Sequence, residues 1–497
     1  MSTKPSQDSG FKGLRAYLWP IHSYELKKFV PLCLLMCLIL FNYTVFRNTK
    51  DTLILTSAGA GTITFLKMYC VTPVAILFVI LYAKGSNIFN SEKIFYATMA
   101  PFLVFFALFA FVLNPNLTSL QPSAESVAAM IESTPRLEGF IRIYENWVYS
   151  VFFIMSELWG SMLLSLSFWQ FANQITRVTE AKRFYGLFVV VANVATILAG
   201  LAVKSFSSFA KSMVPEGGDE WSWIINSLIT TSLVVGVLTM MIYRWMHKNV
   251  LNDPKYYEVP VQKAKKKKPT LLESAKVVFT SPELGLIAAL VICYGITINL
   301  VEVQWKNQVK LFFGTDKAAM NGFMGSYSAW TGVFTIIFAF LFGSNILRKL
   351  GWAFSASFTP VVILIFGSTF FAFILSKDLV ASIVSDPVWS AAIVGAIVVV
   401  ASKAAKYCLF DPTKEMAYIP LDAELKTKGK AAVDVVAGRF GKSGGALIQS
   451  ICLIMMSTAD VLVIAPMVAG FFVLMCITWL YSVKALSKKL KKMDEAI

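Results

Sequence analysis

Twelve long apolar runs constrain this chain more than any other feature of its sequence. A helix of about 20 apolar residues crosses roughly 30 Å of hydrocarbon. A membrane barrel would alternate apolar and polar residues, whereas stretches such as 32–45 and 388–400 are almost continuously apolar. The sequence therefore predicts an all-α integral membrane protein, with spans at 29–47, 62–84, 93–113, 147–172, 184–204, 222–245, 284–304, 323–347, 352–376, 388–410, 436–458 and 460–483.

Composition supports a membrane protein. Of 497 residues, 57% are hydrophobic and 15% are charged, whereas soluble chains carry about 25% charged residues. The seven cysteines lack the spacing of a disulfide framework or a metal site, and the chain has two histidines. We therefore expect no metal and no cofactor. Cys33 and Cys37, four residues apart on one predicted helix, are assigned to packing.

The distribution of charge predicts the orientation. The net charge is +16, and the stretch 244–281 carries nine basic residues against three acidic ones. The stretch 114–145 carries two basic residues against four acidic ones. Because basic residues accumulate on the cytoplasmic side, both termini are expected in the cytoplasm.

The long basic stretch also divides the chain. The lysine run 265–268 fits a solvated linker, with lipid or nucleic-acid binding as alternatives, and we expect no nucleic-acid partner. Two six-helix bundles joined by such a linker are typical of transporters with a site near the bilayer midplane. The predicted parts are a tail (1–28), a bundle (29–245), the linker (246–281), a second bundle (282–484) and a basic tail (485–497).

The first 28 residues have no apolar core and no small-residue cleavage site, so we do not expect a secretory signal. A bacterial inner membrane protein and a mature organellar protein both remain open at this point.

Charged residues inside the spans mark the candidate site. A charge at the bilayer centre costs about 2.5 to 3.5 kcal/mol on insertion scales, so it needs a partner or a watery cavity. In span four, Glu157 is followed by Ser161 and Ser165 at four-residue steps, which predicts a polar stripe facing the bundle interior. In span seven, Glu302 and Lys306 show the same spacing. For Lys306, a pair within its own helix or a side chain reaching the interface is the alternative.

Span eleven carries Arg439 and Lys442 among the glycines of GRFGKSGGALIQ, 438–449. A P-loop would need glycine where Val436 stands, and a preceding strand, so a nucleotide-hydrolysing loop is excluded. The glycines instead predict close approach of a helix or a ligand beside the Lys442 cation. The alternative is that Lys442 reaches the interface.

Two further cationic groups lie near span ends. Tyr43, Arg47 and Lys50 follow one another at steps of four and three at the end of span one. Lys403 and Lys406 lie in span ten, where anchoring at the cytoplasmic interface is the alternative.

The predicted interior therefore holds two carboxylates and three or four cations. A net cationic cavity suits an anion, and phosphate esters are held by several Lys or Arg contacts. The carboxylates would pair with the cations in the empty carrier and release them to phosphate. A membrane enzyme is disfavoured because His22 and His247 lie outside the spans and no nucleophile has an adjacent base. The residues alone predict an organic-anion carrier.

Seven segments carry a resemblance to a known family. They are FRNTKDTLI (46–54), SELWGSMLLSLSFWQFANQIT (156–176), EAKRFYGLF (180–188), YRWMHKNVLNDPKYY (243–257), ICYGITINLVEVQWK (292–306), LFDPTKEMAYIPLD (409–422) and GRFGKSGGALIQ (438–449). The chain resembles the nucleotide transporter family of plastids and obligate intracellular bacteria, which includes the ATP/ADP translocases of chlamydial and rickettsial type. The likeness runs from about residue 11 to the C-terminus.

The resemblance implies a twelve-helix, major-facilitator-like carrier that imports host ATP in exchange for ADP. It implies ATP and ADP as transported substrates and a bacterial inner membrane as the location. Residues important for transport in this family match Lys50 in TKD, Glu157 in SELWG, Glu302 in NLVE and Lys442 in GKSGG.

Some family members import nucleotides with protons instead, and Glu157 or Glu302 would then carry the proton. Full presence of the four charges favours the exchangers. Asn173 and Asn193 are candidate ligands of the adenine base, and we expect a monomer surrounded by membrane lipid.

Overall fold

The computed structural model describes residues 19–253, 281–342, 345–421 and 437–494, together with Arg15, Tyr256, Lys430 and Val433. The regular elements in this part of the chain are helices, and twelve long ones correspond one to one with the predicted spans. The lysine run 265–268, most of the predicted linker and most of the N-terminal tail lie outside the described residues.

Six long helices form each half. The N-terminal half contains α1 (Leu26–Ser57), α2 (Ala60–Phe65, Leu66–Val71 and Thr72–Ile88), α3 (Ser91–Leu108 and Phe109–Leu113), α4 (Trp147–Trp159, Gly160–Phe168 and Trp169–Ile175), α5 (Val178–Met213) and α6 (Glu220–Asn249). The C-terminal half contains α7 (Pro282–Phe313), α8 (Lys317–Phe342), α9 (Asn345–Leu375), α10 (Pro387–Ala405, Lys406–Phe410 and Asp411–Met416), α11 (Gly438–Met455) and α12 (Ala465–Asp494). The middle segments of α2, α4 and α10 are π-helical turns.

Eleven of these helices are long and apolar enough to cross a membrane. The twelfth, α11, contains Arg439, Lys442 and Gln449 within its 18 residues, which lowers its apolar content. Glycine contacts hold it in the bundle. A Cβ atom placed on Gly295 of α7 would lie 2.6 Å from the backbone of Gly441, so the two helices approach as closely as small residues permit.

A buried tryptophan ties the first and fourth helix of each half together. In the N-terminal half, the indole of Trp159 on α4 donates to the Ile39 carbonyl of α1 at 3.0 Å. In the C-terminal half, the indole of Trp305 on α7 donates to the Ala392 carbonyl of α10 at 2.8 Å. Both rings are fully buried, so these bonds fix the four helices that carry most of the intramembrane charges.

The halves meet along two seams. We call the end where α1 begins and α12 ends the proximal end, and the opposite end the distal end. In the α5–α8 seam, a Cβ atom on Gly200 would lie 2.5 Å from the carbonyl oxygen of Gly325. In the α2–α11 seam, a Cβ atom on Gly61 would lie 2.3 Å from the carbonyl oxygen of Ala459. Both contacts lie in the distal half of the bundle.

In the described residues, these seams show no such close contact at the glycines nearest the proximal end. Positions for a Cβ atom on Gly186 of α5 and on Gly438 of α11 have no neighbour within 4 Å among the described residues. The distal end is further closed by Lys317 of α8, whose ammonium lies 5.6 Å from the ring of Tyr149 and 5.9 Å from that of Trp221. In the part of the chain that the structure describes, the bundle is therefore closed distally and open proximally.

The predicted basic tail 485–497 continues α12 as a helix through Asp494. Its Lys489 pairs with Glu283 at the start of α7 at 2.7 Å. This end of the chain is thus attached to the C-terminal half.

Candidate functional site

A buried ion-pair network begins on α1 at Lys50 and Asp51, whose side chains are each 1% exposed. The Lys50 ammonium lies 2.7 Å from the Asp51 carboxylate and 3.0 Å from the Glu157 carboxylate of α4. It also lies 3.9 Å from the centre of the Phe153 ring. Because a buried charge is costly unless it is paired, these contacts explain how Lys50 is accommodated inside the bundle.

Two close ion pairs join the halves at the same depth. Lys306 of α7 lies 2.8 Å from the Asp51 carboxylate. Arg47 of α1 donates to the Glu302 carboxylate of α7 at 2.9 Å. Asp51 therefore accepts from one lysine of each half, and any separation of the halves at this depth must break both contacts.

The remaining cations lie around the Glu302 carboxylate. Besides Arg47, the ammonium groups of Lys67, Lys306 and Lys403 lie 3.8 to 3.9 Å from its carboxylate. The Lys403 ammonium also donates to the Tyr327 hydroxyl. We call the following eight residues the central cluster: Arg47, Lys50, Asp51, Lys67, Glu157, Glu302, Lys306 and Lys403. Five cations face three carboxylates, so the cluster carries an excess of positive charge.

Exposure distinguishes the members that face the cavity. The side chains of Arg47 and Glu157 are 29% and 27% exposed, whereas those of Lys50, Asp51 and Lys306 are nearly inaccessible. A ligand entering from the proximal end would therefore meet Arg47 and Glu157 first.

Lys442 supplies a further cation beside the cluster. Its side chain is exposed, and it forms no ion pair with the described part of the chain. It belongs to the turn of α11 that contacts α2 of the opposite half. The hydroxyl of the next residue, Ser443, lies 2.7 Å from that of Thr72 on α2. Arg439, one turn nearer the proximal end, is half-buried.

Two other predicted residues lie one turn proximal of the cluster. The Tyr43 ring packs against Gly160 of α4, where a Cβ atom would lie 2.5 Å from the ring. The Lys406 ammonium pairs with Asp411 at 2.8 Å. Because Lys406–Phe410 and Asp411–Met416 continue α10, this ion pair lies within one helix.

The structure does not bring Asn173 or Asn193 into the central cluster. Asn173 accepts from the Tyr185 hydroxyl and follows Glu157 by 16 residues, which corresponds to about 24 Å along an α-helix. Asn193 donates to the Val189 carbonyl of its own helix, and its backbone contacts Gly332 in the α5–α8 seam.

The structure corrects one expectation of position, for Lys50, and decides against the interface alternatives for Lys306 and Lys403. Lys50 does not lie at the end of its membrane helix, because α1 continues to Ser57. Lys306 does not reach the interface, because α7 continues to Phe313 and its ammonium is buried against Asp51. Lys403 does not anchor α10 at the surface, because its side chain is 12% exposed and lies beside Glu302.

Two members of the cluster, Lys67 and Asp51, are not among the residues predicted from the sequence. Lys67 is a charge inside the apolar run 62–84, so the criterion that selected Glu157 applies to it as well. Asp51 lies beyond the predicted end of span one and was therefore not counted among the intramembrane charges. Its proximity to Lys306 depends on the packing of the two halves and has no signal in the sequence.

Known proteins are similar to this chain over almost its whole length. The model of the TLC ATP/ADP transporter family matches residues 4–490. ADP,ATP carrier protein 1 of Chlamydia trachomatis is 46% identical over 486 residues, which cover 96% of this chain and 91% of that protein. ADP,ATP carrier protein 1 of Rickettsia bellii is 43% identical over 496 residues, which cover 98% of each chain.

The chain belongs to the TLC ATP/ADP transporter family.

Solved structures show the fold of this TLC family member. The nucleoside transporter NupG has a TM-score of 0.56 and 11% identity, covering 91% of this chain and 99% of NupG. A D-xylose-proton symporter has a TM-score of 0.54 and 12% identity, covering 92% of this chain and 97% of the symporter. The predicted fold, all-α with twelve membrane helices in two six-helix bundles of the major-facilitator kind, is confirmed. The chain is a multi-pass membrane protein of a transporter family.

Proposed function

We propose that this chain exchanges ATP for ADP across a membrane by alternating access, importing ATP as ADP leaves. The observation that carries the proposal is the central cluster, in which buried cations outnumber carboxylates and ion pairs join the two halves. Multivalent phosphates require several such cations, and a nucleotide offers three or two phosphate groups to them.

We assign the phosphates to Lys50, Lys442 and Arg47, with Glu157 and Glu302 holding the cations in place while the site is empty. Lys442 and Arg47 are the accessible cations and would contact an incoming nucleotide first. Lys50 becomes available as a phosphate oxygen replaces the Glu157 carboxylate at 3.0 Å. Lys306 and Lys403 of the C-terminal half lie beside Glu302 and add positive charge to the same site.

Obligatory exchange follows from the pairs between the halves. Opening the distal end breaks the contacts of Lys306 with Asp51 and of Arg47 with Glu302. A bound polyphosphate supplies replacement partners for the released cations, whereas the empty carrier leaves them less compensated. The loaded carrier therefore changes state more readily than the empty one.

We further propose that the chain is a monomer in the inner membrane of an obligate intracellular bacterium, with both termini in the cytoplasm and membrane lipid around it. The cavity of the structure would then open to the cytoplasm. The charge asymmetry of the connecting stretches supports this orientation. A thiol reagent that cannot cross the inner membrane should label, from the periplasmic side, a cysteine introduced at Ser457, beyond the distal end of α11, in a variant without native cysteines.

Reconstitution into proteoliposomes tests the exchange. Labelled ATP should enter vesicles filled with ADP, and should hardly enter vesicles without internal nucleotide. A proton gradient imposed on empty vesicles distinguishes the alternative, because a proton-coupled symporter would then accumulate ATP. Recovery of intact ATP inside the vesicles would exclude turnover of the nucleotide, and accumulation in empty vesicles would refute exchange.

A further inference from the structure

Two tyrosines flank the cavity on opposite walls, just proximal of the central cluster. Tyr43 belongs to α1 of the N-terminal half and precedes Arg47 by about one turn. Tyr407 belongs to α10 of the C-terminal half and follows Lys403 by about one turn. Arg47 and Lys403 both approach Glu302. Because α1 is an uninterrupted α-helix, Tyr43 lies on the same face as Arg47, nearer the open end. Tyr407 belongs to the π-helical segment Lys406–Phe410, so its own contacts must define its direction.

Contacts of Tyr407 confirm which way its ring points. The Lys406 ammonium lies 4.5 Å from the centre of the Tyr407 ring and 5.7 Å from that of Tyr294 on α7. The rings of Tyr407 and Tyr294 therefore both lie beside one ammonium group in the C-terminal half. The Tyr407 side chain is 46% exposed, so the ring is accessible to a ligand.

Tyr43 presents the opposing ring. The Tyr43 ring packs against Gly160 of α4, one turn proximal of Glu157. Any larger residue at position 160 would contact the ring. The N-terminal half thus positions an aromatic ring next to its own phosphate-facing residues. The C-terminal half does the same with Tyr407.

We propose that Tyr43 and Tyr407 form the subsite for the nucleotide base, stacking on it from the two halves while the phosphates occupy the central cluster. One helical turn is about 5.4 Å, which leaves room for the ribose between the cluster and the rings. This inference rests on the proposed nucleotide exchange. Stacking on an aromatic ring tolerates every base because each base has a π-face, so the two rings supply affinity and leave the choice of base to polar groups at its edge.

Exchange kinetics of Tyr407→Leu test the subsite. The expected result is a rise in the KM for ATP of about 5- to 150-fold, which is the range for loss of one base–aromatic stack. The maximal rate should stay within about twofold, because the cluster is unchanged, and Tyr407→Phe should restore the KM. Tyr481→Leu on α12, which is 71% exposed, serves as the control for loss of an exposed tyrosine.

A KM for Tyr407→Leu within about twofold of the original, or a raised KM that Tyr407→Phe does not restore, would overturn the subsite. If the leucine variant does not fold, photolabelling of the unmodified protein with 8-azido-ATP decides instead. Label on the peptide of Tyr407 or Tyr43 supports the subsite, and label elsewhere refutes it. An unmodified protein that exchanges no nucleotide at all would refute the proposed function, whereas exchange with an unaffected KM refutes only this subsite.

Discussion

The Lys306 ammonium of the C-terminal half lies 2.8 Å from the Asp51 carboxylate of the N-terminal half, and both side chains are almost fully buried. Asp51 also holds Lys50 at 2.7 Å. A single carboxylate therefore sets the spacing of two lysines that belong to different halves. This arrangement makes Asp51 as central to the site as the residues that a substrate would touch.

Replacing Asp51→Asn should destabilise the protein by about 3 to 5 kcal/mol, because it leaves two buried ammonium groups with too few partners. Denaturant unfolding in detergent measures the loss. Lys306→Gln should also destabilise, and the double variant should lose less than the sum of the single losses by about 0.5 to 3 kcal/mol. Strictly additive losses would show that the two side chains do not interact.

Lys442→Ala should separate transport from stability. Lys442 is exposed and has no ion-pair partner in the described chain, so its removal should change the free energy of unfolding by no more than about 0.5 kcal/mol. Nucleotide exchange should fall at least tenfold, because a phosphate contact worth about 1.5 to 3 kcal/mol is lost. Lys84→Ala, another exposed lysine, should alter neither. Unchanged exchange kinetics would remove Lys442 from the site.

A disulfide across the α5–α8 seam should stop transport reversibly. The Cβ atom of Ser207 lies 3.4 Å from a Cβ atom placed on Gly322, close to the range of about 3.5 to 4.5 Å found in disulfides. Oxidation of the Ser207→Cys, Gly322→Cys double variant should lock the distal end closed and abolish exchange, and a reductant should restore it. Each single cysteine variant should continue to exchange under oxidant. Full activity of the oxidised double variant would show that the seam does not open.

Gly160→Ala should impair exchange through Tyr43. The added methyl group would meet the Tyr43 ring at 2.5 Å, so the ring or α4 must move. Because overpacking typically costs about 1 to 3 kcal/mol, we expect lower thermal stability together with a raised KM. Gly186→Ala is the matched control, since a Cβ atom there has no described neighbour within 4 Å. Equal effects at the two positions would contradict this role of Gly160.

The sequence predicts the fold well because helix length and apolar content are local properties. All twelve spans have a counterpart, including α11, whose glycines compensate for its charges through close contact with α7. The helix ends were less predictable. The apolar run of span one ends before Arg47, yet α1 continues to Ser57 because the opposite half supplies partners for the charges that follow.

Helical periodicity also fails where the helix changes type. Glu157, Ser161 and Ser165 share a face only in an uninterrupted α-helix, whereas Gly160–Phe168 is a π-helical segment. In this segment the Ser165 hydroxyl bonds to the carbonyl five residues earlier, at Gly160. Such segments often occur at functional sites, and their position depends on packing that the sequence does not reveal.

The excess positive charge of the central cluster is shared equally by the two halves. Arg47, Lys50 and Lys67 outnumber Asp51 and Glu157 by one charge on the N-terminal side, and Lys306 and Lys403 outnumber Glu302 by one on the other. When the halves separate, each half keeps its own ion pairs. Two positively charged surfaces then face each other across the cavity. A polyphosphate between the two halves acts as a shared counter-ion. Its negative charge offsets their mutual repulsion, so the halves can change position together around the bound substrate.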